Sequence, residues 1–280
     1  MFEIRDHILR RDGAPVPFVE TPNIGPKLVP EGIVLHDTAG RLDGASSIAW
    51  LCDPHARASA HFVVGRDGAV TQLAPCDRQT WHAGRSSYRG RAGVNRFALG
   101  IEIVNPGRLE RVGRNGWRAW FGEIFRADGD IHVRRAKTPE HGDGWWMDYG
   151  GTQISVVEGV CHALAGAYGI RWIAAHWLVC PGRKVDTNPL FPLDAVRARV
   201  LGGADENGES AAAAARVTVA VNQRRWPSLA DNVIQVLPRN APVEVVRFGT
   251  YSGEPWYLVA ADGPRGRHDG WVHGGYLDTD

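Results

Sequence analysis

Long apolar runs are missing from this 280-residue chain. None approaches the roughly 20 residues that a membrane-spanning helix needs, so no membrane insertion is expected. The opening stretch MFEIRDHILRRDG is charged throughout and has no apolar core. No signal peptide is visible there, and synthesis in the cytoplasm is the expectation. Net charge is also scarce: 32 Lys and Arg against 31 Asp and Glu leave a formal +1. That balance gives no electrostatic case for nucleic acid or an anionic membrane surface as partner. Cysteine is sparse and scattered. Cys52, Cys76, Cys161 and Cys180 form no CxxC pair, which argues against a dense disulfide framework and for reduced thiols. The spacing leaves a Cys52–Cys76 bridge open.

What remains is an ordinary globular composition, 44% hydrophobic and 22% charged. The length suits one medium domain with a smaller companion. Eleven tryptophans are more than the size requires, and indole faces commonly grip sugars and peptides as well as filling cores. One break is clear. LGGADENGESAAAAA, residues 201–215, reads as an interdomain linker whose alanine run forms a loose helical turn. It parts a body, residues 1–200, from a tail, residues 216–280.

Within the body, GIVLH (residues 32–36), AHFVVGRDGAVTQL (60–73) and FALGIEIV (97–104) have strand character, with RDG as a hairpin turn. Thr152 can cap a helix whose apolar positions Ile154, Val157, Val160, Cys161, Leu164 and Tyr168 recur at helical steps, with Gly169 as its stop. A short helix is expected over residues 44–51. The fold class is α/β with α+β layering: a central mixed sheet flanked by helices. Residues 107–150, rich in Gly, Arg and Trp, read as an insertion with hairpin character.

The segment HWLVCPGRKVDTNPLF (residues 176–191) packs ionisable groups into a loop bounded by Pro181 and Pro189. His36 and His176 both sit at the ends of short apolar runs. With one carboxylate they make an open zinc site, three protein donors and a fourth position for water. Asp186 and Cys180 compete for the third place, and spacing alone does not choose between them.

The motifs VLHDTAG, HFVVGRDGAV, WHAG, ALGIEIVN and AHWLVCPGRKVDTNPLF stand in the order found in zinc-dependent N-acetylmuramoyl-L-alanine amidases of the amidase-2 type, whose fold is shared with peptidoglycan recognition proteins. The resemblance runs from about Pro30 to Phe191, apart from the insertion. It implies His36, His176 and Asp186 as Zn²⁺ ligands, with Cys180 a bystander. It implies Glu102 as general base and Lys184 as partner of the developing oxyanion. Thr187 stands where the family often has proline. His61, His82, Trp81 and Asn95 are expected to shape or contact the substrate groove, with a structural role for His61 equally open. The substrate implied is peptidoglycan or a muropeptide, cut between N-acetylmuramic acid and L-alanine.

In the tail, segments such as VIQVLPRNAPVEVV, PWYLVAADG and GWVHGGYL resemble the bacterial SH3 fold, a small all-β barrel that commonly binds cell-wall peptide. Taken singly, Trp256, Tyr257, Trp271 and Tyr276 read as barrel core. Such a tail favours an endolysin-like wall-lytic enzyme, since tethering raises local concentration on a polymer. Two alternatives stand beside it. One is a cytoplasmic amidase that recycles muropeptides. The other is a non-catalytic peptidoglycan receptor, against which the retention of Asp186, Lys184 and Glu102 counts.

Overall fold

The computed structural model describes residues 1–129, 131–138, 140–201, 213–224, 229, 233–251, 254–264 and 266–279. The chain divides into two compact units, Met1–Gly202 and Gly203–Asp280. No helix among the described residues is long and apolar enough to cross a membrane. All four cysteines are free, so Cys52 and Cys76 do not pair.

The first unit is built on a five-stranded mixed sheet of β1 (Gly32–Asp37), β2 (Phe62–Val64), β3 (Val70–Gln72), β4 (Ala98–Ile103) and β5 (Trp172–Ala175). Their order is β5-β1-β4-β2-β3. The first four are parallel, while β3 returns antiparallel to β2 through the Arg66–Gly68 turn. Every residue of β1 is buried, as expected of a strand covered on both faces, and its continuous apolar run reflects that burial.

Strand alternation sorts the side chains. Ile33, Leu35, Leu99, Ile101, Ile103 and Ile173 join one core with Val157, Val160, Cys161 and Leu164 of α2 (Gly151–Tyr168) and Val196 of α4 (Leu193–Leu201). On the other face, Val34, Ala98 and Ala174 pack with Leu178 and Val179 of α3 (His176–Val179). Val63 and Val104 pack there with Leu51 of α1 (Ala45–Leu51). Each such aliphatic side chain, taken out of water, contributes about 1.5–3 kcal/mol. Gly169 closes α2 in the left-handed conformation at φ 63°, where glycine carries no Cβ penalty. Thr152 is not the cap; it lies inside the first turn, and Gly150 holds the N-cap position.

Residues 107–150 form more than a hairpin. They make a second, antiparallel five-stranded sheet in the order Ile124–Arg126, Gly116–Ala119, Arg108–Val112, Gly142–Met147, Val133–Thr138. Leu109, Trp117, Phe125 and Met147 give it a core of its own. An N-terminal hairpin, Phe2–Arg5 with Ile8–Arg11, is a further element that the sequence did not announce.

The second unit is a seven-stranded antiparallel sheet. The end of the alanine run is strand rather than helical turn. Ala213–Val217 pairs with Pro242–Tyr251, Ala213 opposite Val245 and Ala215 opposite Val243. Alanine has no strong strand preference, so tertiary pairing overrides its helical tendency. Leu201, assigned to the linker, is instead the last residue of α4. The rest of that linker, residues 202–212, lies outside the described residues. Trp256 and Trp271 are buried, Tyr257 is half-buried, and Tyr276 is 43% exposed.

Gly100 shows how tightly the sheet fits what lies on it. A Cβ added there would stand 2.5 Å from Cγ of His82. Gly100 lies between two parallel neighbours, so neither backbone nor ring has room to give. A Gly100→Ala chain should lose about 1–3 kcal/mol of stability, the usual cost of overpacking, read from urea unfolding. An unchanged midpoint would refute the close approach.

Candidate active site

Parallel pairing places the ends of β1, β4 and β5 along one edge. Glu102 is opposite His36, and Ala175 is opposite Leu35. His176, the next residue, therefore emerges beside His36 as the first residue of α3. Ligand sites of open α/β sheets form at such carboxyl-terminal edges. Asp186 enters from the following loop, which is registered onto α3 by the Trp177 amide donating to the Asp186 carbonyl at 2.8 Å.

Three donor atoms meet. His36 Nδ1 lies 2.9 Å from His176 Nδ1 and 3.2 Å from Asp186 Oδ2, and His176 Nδ1 lies 2.8 Å from that oxygen. Among the described residues this is the cluster with metal-ligand geometry. A tetrahedral zinc site with bonds of about 2.0–2.1 Å has donor–donor edges of about 3.3 Å, so the triangle needs only a slight expansion. Cys180 is not in it. Its thiol points at the carbonyls of Ala83 (3.2 Å) and Arg85 (3.4 Å).

The outer nitrogens fix the tautomers. His82 Nε2–H donates to the Ala98 carbonyl at 3.2 Å, so its Nδ1 accepts from His36 Nε2–H at 3.0 Å. His36 Nδ1 is left with a lone pair facing the triangle. His176 Nε2–H donates to the Ala83 carbonyl at 3.4 Å, which frees its Nδ1 in the same way. Orientation of a metal-binding imidazole through its far nitrogen is the general pattern. The donor set therefore fits a borderline cation such as zinc.

Electrostatics point the same way. Burial lowers the pKa of His36 to about 4, helped by the neighbouring His176. Burial also opposes charge on His176, yet hydrogen bonds to Asp186 and Cys180 lift it to about 9. Burial works against ionisation of Asp186, but contacts with both imidazoles hold it well below the ordinary carboxylate range. Positive charge at this point is what the three groups demand.

Glu102 is half-buried and lines the cleft with these donors. Burial first, then the negative charges of Asp186 and Asp37, push its pKa to about 8. β4 is not an edge strand, since it has partners on both sides. Lys184 is exposed and lines the same cleft, whose volume is about 600 Å³. Trp81 lines it too, 36% exposed.

Two other expected groove residues, His61 and Asn95, do not line the cleft. His61 is fully buried: the Gly100 amide donates to its Nδ1 at 3.0 Å, and its Nε2–H donates to the Arg78 carbonyl at 2.8 Å. It is a strut between strands, with no nitrogen left for substrate. Asn95 does not line the cleft; its Oδ1 accepts from the Ala83 amide at 2.8 Å and steadies the WHAG loop. His82 does reach the cleft, but its hydrogen bonds go to His36 and Ala98.

Sequence reading missed the supports of the Asp186 loop. The Asn188 amide donates to Asp37 Oδ2 at 2.8 Å, and the Tyr149 hydroxyl donates to Asp37 Oδ1 at 2.6 Å. His141 Nε2–H donates to the Thr187 carbonyl at 2.9 Å, and Asn188 Nδ2 donates to the Met147 carbonyl at 2.9 Å. His141, Met147 and Tyr149 all belong to the insertion. Asp37, a charge at the end of a fully buried strand, was the one available signal.

Because His176 holds a proton up to pH about 9 and His36 only to about 4, one proton must leave when a metal ion binds in between. Zinc affinity, measured by competition with a chromophoric chelator, should rise about tenfold per pH unit from pH 5 to 8 and level off only near 9. Levelling near the ordinary imidazole value would contradict the coupling to Asp186.

Comparison with known proteins supplies the family. The Amidase_2 family, N-acetylmuramoyl-L-alanine amidase, matches residues 26–189. A 55-residue stretch is 51% identical to 1,6-anhydro-N-acetylmuramyl-L-alanine amidase AmpD of Citrobacter freundii, covering 20% of this chain and 29% of that protein. Over 169 residues the chain is 27% identical to N-acetylmuramoyl-L-alanine amidase AmiD of Escherichia coli (strain K12), covering 57% of this chain and 49% of that one. Thus the chain spans less than a third of the AmpD protein and about half of AmiD. Among solved structures, E. coli AmiD complexed with anhydro-N-acetylmuramic acid-L-Ala-D-gamma-Glu-L-Lys aligns at 23% identity and a TM-score of 0.44, over 71% of this chain and 65% of that chain. A selenomethionine derivative of AmpD aligns at 23% identity and a TM-score of 0.44, over 66% and 94%. The family match exceeds half of the 280 residues and takes in every strand of the mixed sheet and the Asp186 loop. The chain belongs to the Amidase_2 family of N-acetylmuramoyl-L-alanine amidases.

Proposed function

We propose that this chain is a zinc-dependent hydrolase that cuts the amide between N-acetylmuramic acid and L-alanine in peptidoglycan, and that it works as a wall-lytic enzyme. The observation that carries the reading is the meeting of His36, His176 and Asp186 in one cleft with Glu102 and Lys184. Zinc held by those three residues would supply a Lewis acid that polarises the carbonyl and makes water acidic near neutral pH.

The chain's own residues supply the rest. Glu102 takes the proton of the attacking water and returns it to the departing alanine nitrogen, so one carboxylate serves both half-steps. Burial raises the proton affinity of Glu102, which suits a group that must hold the proton in transit, while a cation in the donor triangle would favour its ionised form. Lys184 stands in solvent at the cleft and offers a positive partner for the oxyanion. His82 and the Ala83 carbonyl hold the two imidazoles in the required tautomers.

The SH3-like reading of the second unit supports a wall-bound setting, in which the tail keeps the catalytic unit on its polymer. A recycling enzyme acting on soluble 1,6-anhydro-muropeptides is the second reading, favoured by the AmpD stretch of 51% identity. A non-catalytic receptor would have no use for Glu102 and Lys184 together.

Mass analysis of products from purified sacculi, with and without a chelator, tests the reaction. Free stem peptides beginning with L-alanine should appear only when metal is present. Glu102→Gln should keep its zinc and lose about 10²-fold or more in kcat. Metal-independent release, or an undiminished Glu102→Gln, would sink the mechanism. A chain ending before residue 203 should turn over soluble muropeptide normally but digest sacculi more slowly; equal rates on sacculi would favour the recycling reading.

A further inference from the structure

The insertion does more than brace the Asp186 loop. Its strands Gly116–Ala119 and Ile124–Arg126 are joined by a tight turn in which the Gly122 amide donates to the Ala119 carbonyl at 2.9 Å. The tip of that turn carries Trp120 and Phe121, and both line the cleft that holds His36, Glu102, His176 and Asp186. Phe121 is half-buried, edge-on to Phe125 in the core of the insertion. Trp120 is 78% exposed. A turn has no need of an indole in water, and most residues would serve a two-strand connection as well.

This ring is nonetheless held in place. Its Nε1–H donates to the carbonyl of Ala39 at 2.6 Å, three residues beyond His36 on the same chain segment. Phe121 meets it edge-to-face with centroids 5.7 Å apart. The polar edge is thus satisfied and the ring held while most of the indole stays open to solvent, the arrangement that lowers the entropy lost on binding. Trp50 of α1, 58% exposed, and Trp81 line the same cleft. Trp120 also lines a second groove on the insertion, together with Trp145. The indole therefore stands between two concavities, where a chain longer than one unit could pass over it.

We propose that Trp120 is a stacking platform for a pyranose ring of the substrate, and that the insertion thereby selects saccharide-bearing peptidoglycan over free stem peptide. The proposal rests on the amidase reading for the identity of the sugar. The ring itself, rather than the charges around it, suits the glycan. Stem peptides carry carboxylates that call for cations, and Lys184 in the cleft and the arginines of the second groove can meet them, whereas beside the indole Arg41 is already paired with Glu123 at 3.0 Å and lies over the Phe121 ring at 5.6 Å. A pyranose presents an uncharged C–H face suited to an indole, and hydroxyls that remain in water.

The test uses the full chain and the Trp120→Ala and Trp120→Phe variants. Each is titrated by calorimetry with a peptide-free tetrasaccharide of alternating N-acetylglucosamine and N-acetylmuramic acid, and separately with the sugar-free stem tripeptide. Trp120→Ala should weaken the tetrasaccharide about tenfold, with Trp120→Phe falling less, while the tripeptide is unaffected. On a disaccharide-peptide substrate, Trp120→Ala should raise KM with kcat held. Equal tetrasaccharide affinity in all three chains overturns the proposal, as does a loss confined to the tripeptide. Since the titrations need no turnover, a chain that binds glycan through Trp120 yet hydrolyses nothing would sink the amidase reading and leave this one standing.

Discussion

Level endings of three parallel strands are the constraint from which this site follows. Pairing of β1 with β4 and β5 sets Glu102 against His36 and Ala175 against Leu35. The register is fixed by the apolar face beneath, because a slip of one residue would turn Ile33, Leu35 and Ile101 out of the core. Core packing and placement of the chemical groups are thus one requirement. Two imidazoles and a carboxyl are delivered by the sheet, and Asp186 alone has to be brought in on a loop. Its supports are correspondingly numerous: Asp37, Tyr149, Asn188 and His141 all bear on it.

That division explains which parts could be read in advance. Strand-end histidines, the apolar strand with an embedded Glu102, and the proline-bounded loop are local patterns, and each is visible in a few consecutive residues. Supports are not local. His141 lies 46 residues from Thr187, and His82 lies 46 from His36, so no spacing rule joins them. His61 stayed open between two roles for a related reason. A histidine at a strand start is compatible with a groove or a strut, and only the amide of Gly100 and the carbonyl of Arg78 decide between them. Among helix and strand assignments, failure fell on the alanine run, where a partner strand overrode the intrinsic helical preference.

The second unit illustrates tertiary control in another way. Gln223 is fully buried, donating to the carbonyls of Val259 and His268 and accepting from Gln235 Nε2 at 2.8 Å. A buried amide network with its partners in place is costly to rearrange and fixes one strand arrangement. The buried Trp256 and Trp271 belong to that framework rather than to a binding face. If this unit grips the wall, its contacts are made by other residues, with Tyr276 the exposed aromatic among the tail positions singled out from sequence.

Three carboxyl groups crowd the site, and their surroundings pull them apart. Asp186 is kept ionised by two imidazoles. Asp37 is pushed up to about 8 by burial, against the opposing hydrogen bonds from Tyr149 and Asn188. Glu102 is pushed to about 8 by burial and by the charge of Asp186. Neighbouring carboxyls that cannot all ionise together hold protons more tightly than any would alone. A divalent cation in the donor triangle reverses the balance for Glu102, because added positive charge nearby favours the carboxylate. On the hydrolase reading proposed above, Glu102 would then be ionised at neutral pH once such a cation is held by His36, His176 and Asp186, so metal binding and readiness of the base would be coupled. The strand register that sets Glu102 beside His36 is what makes that coupling short-ranged enough to matter.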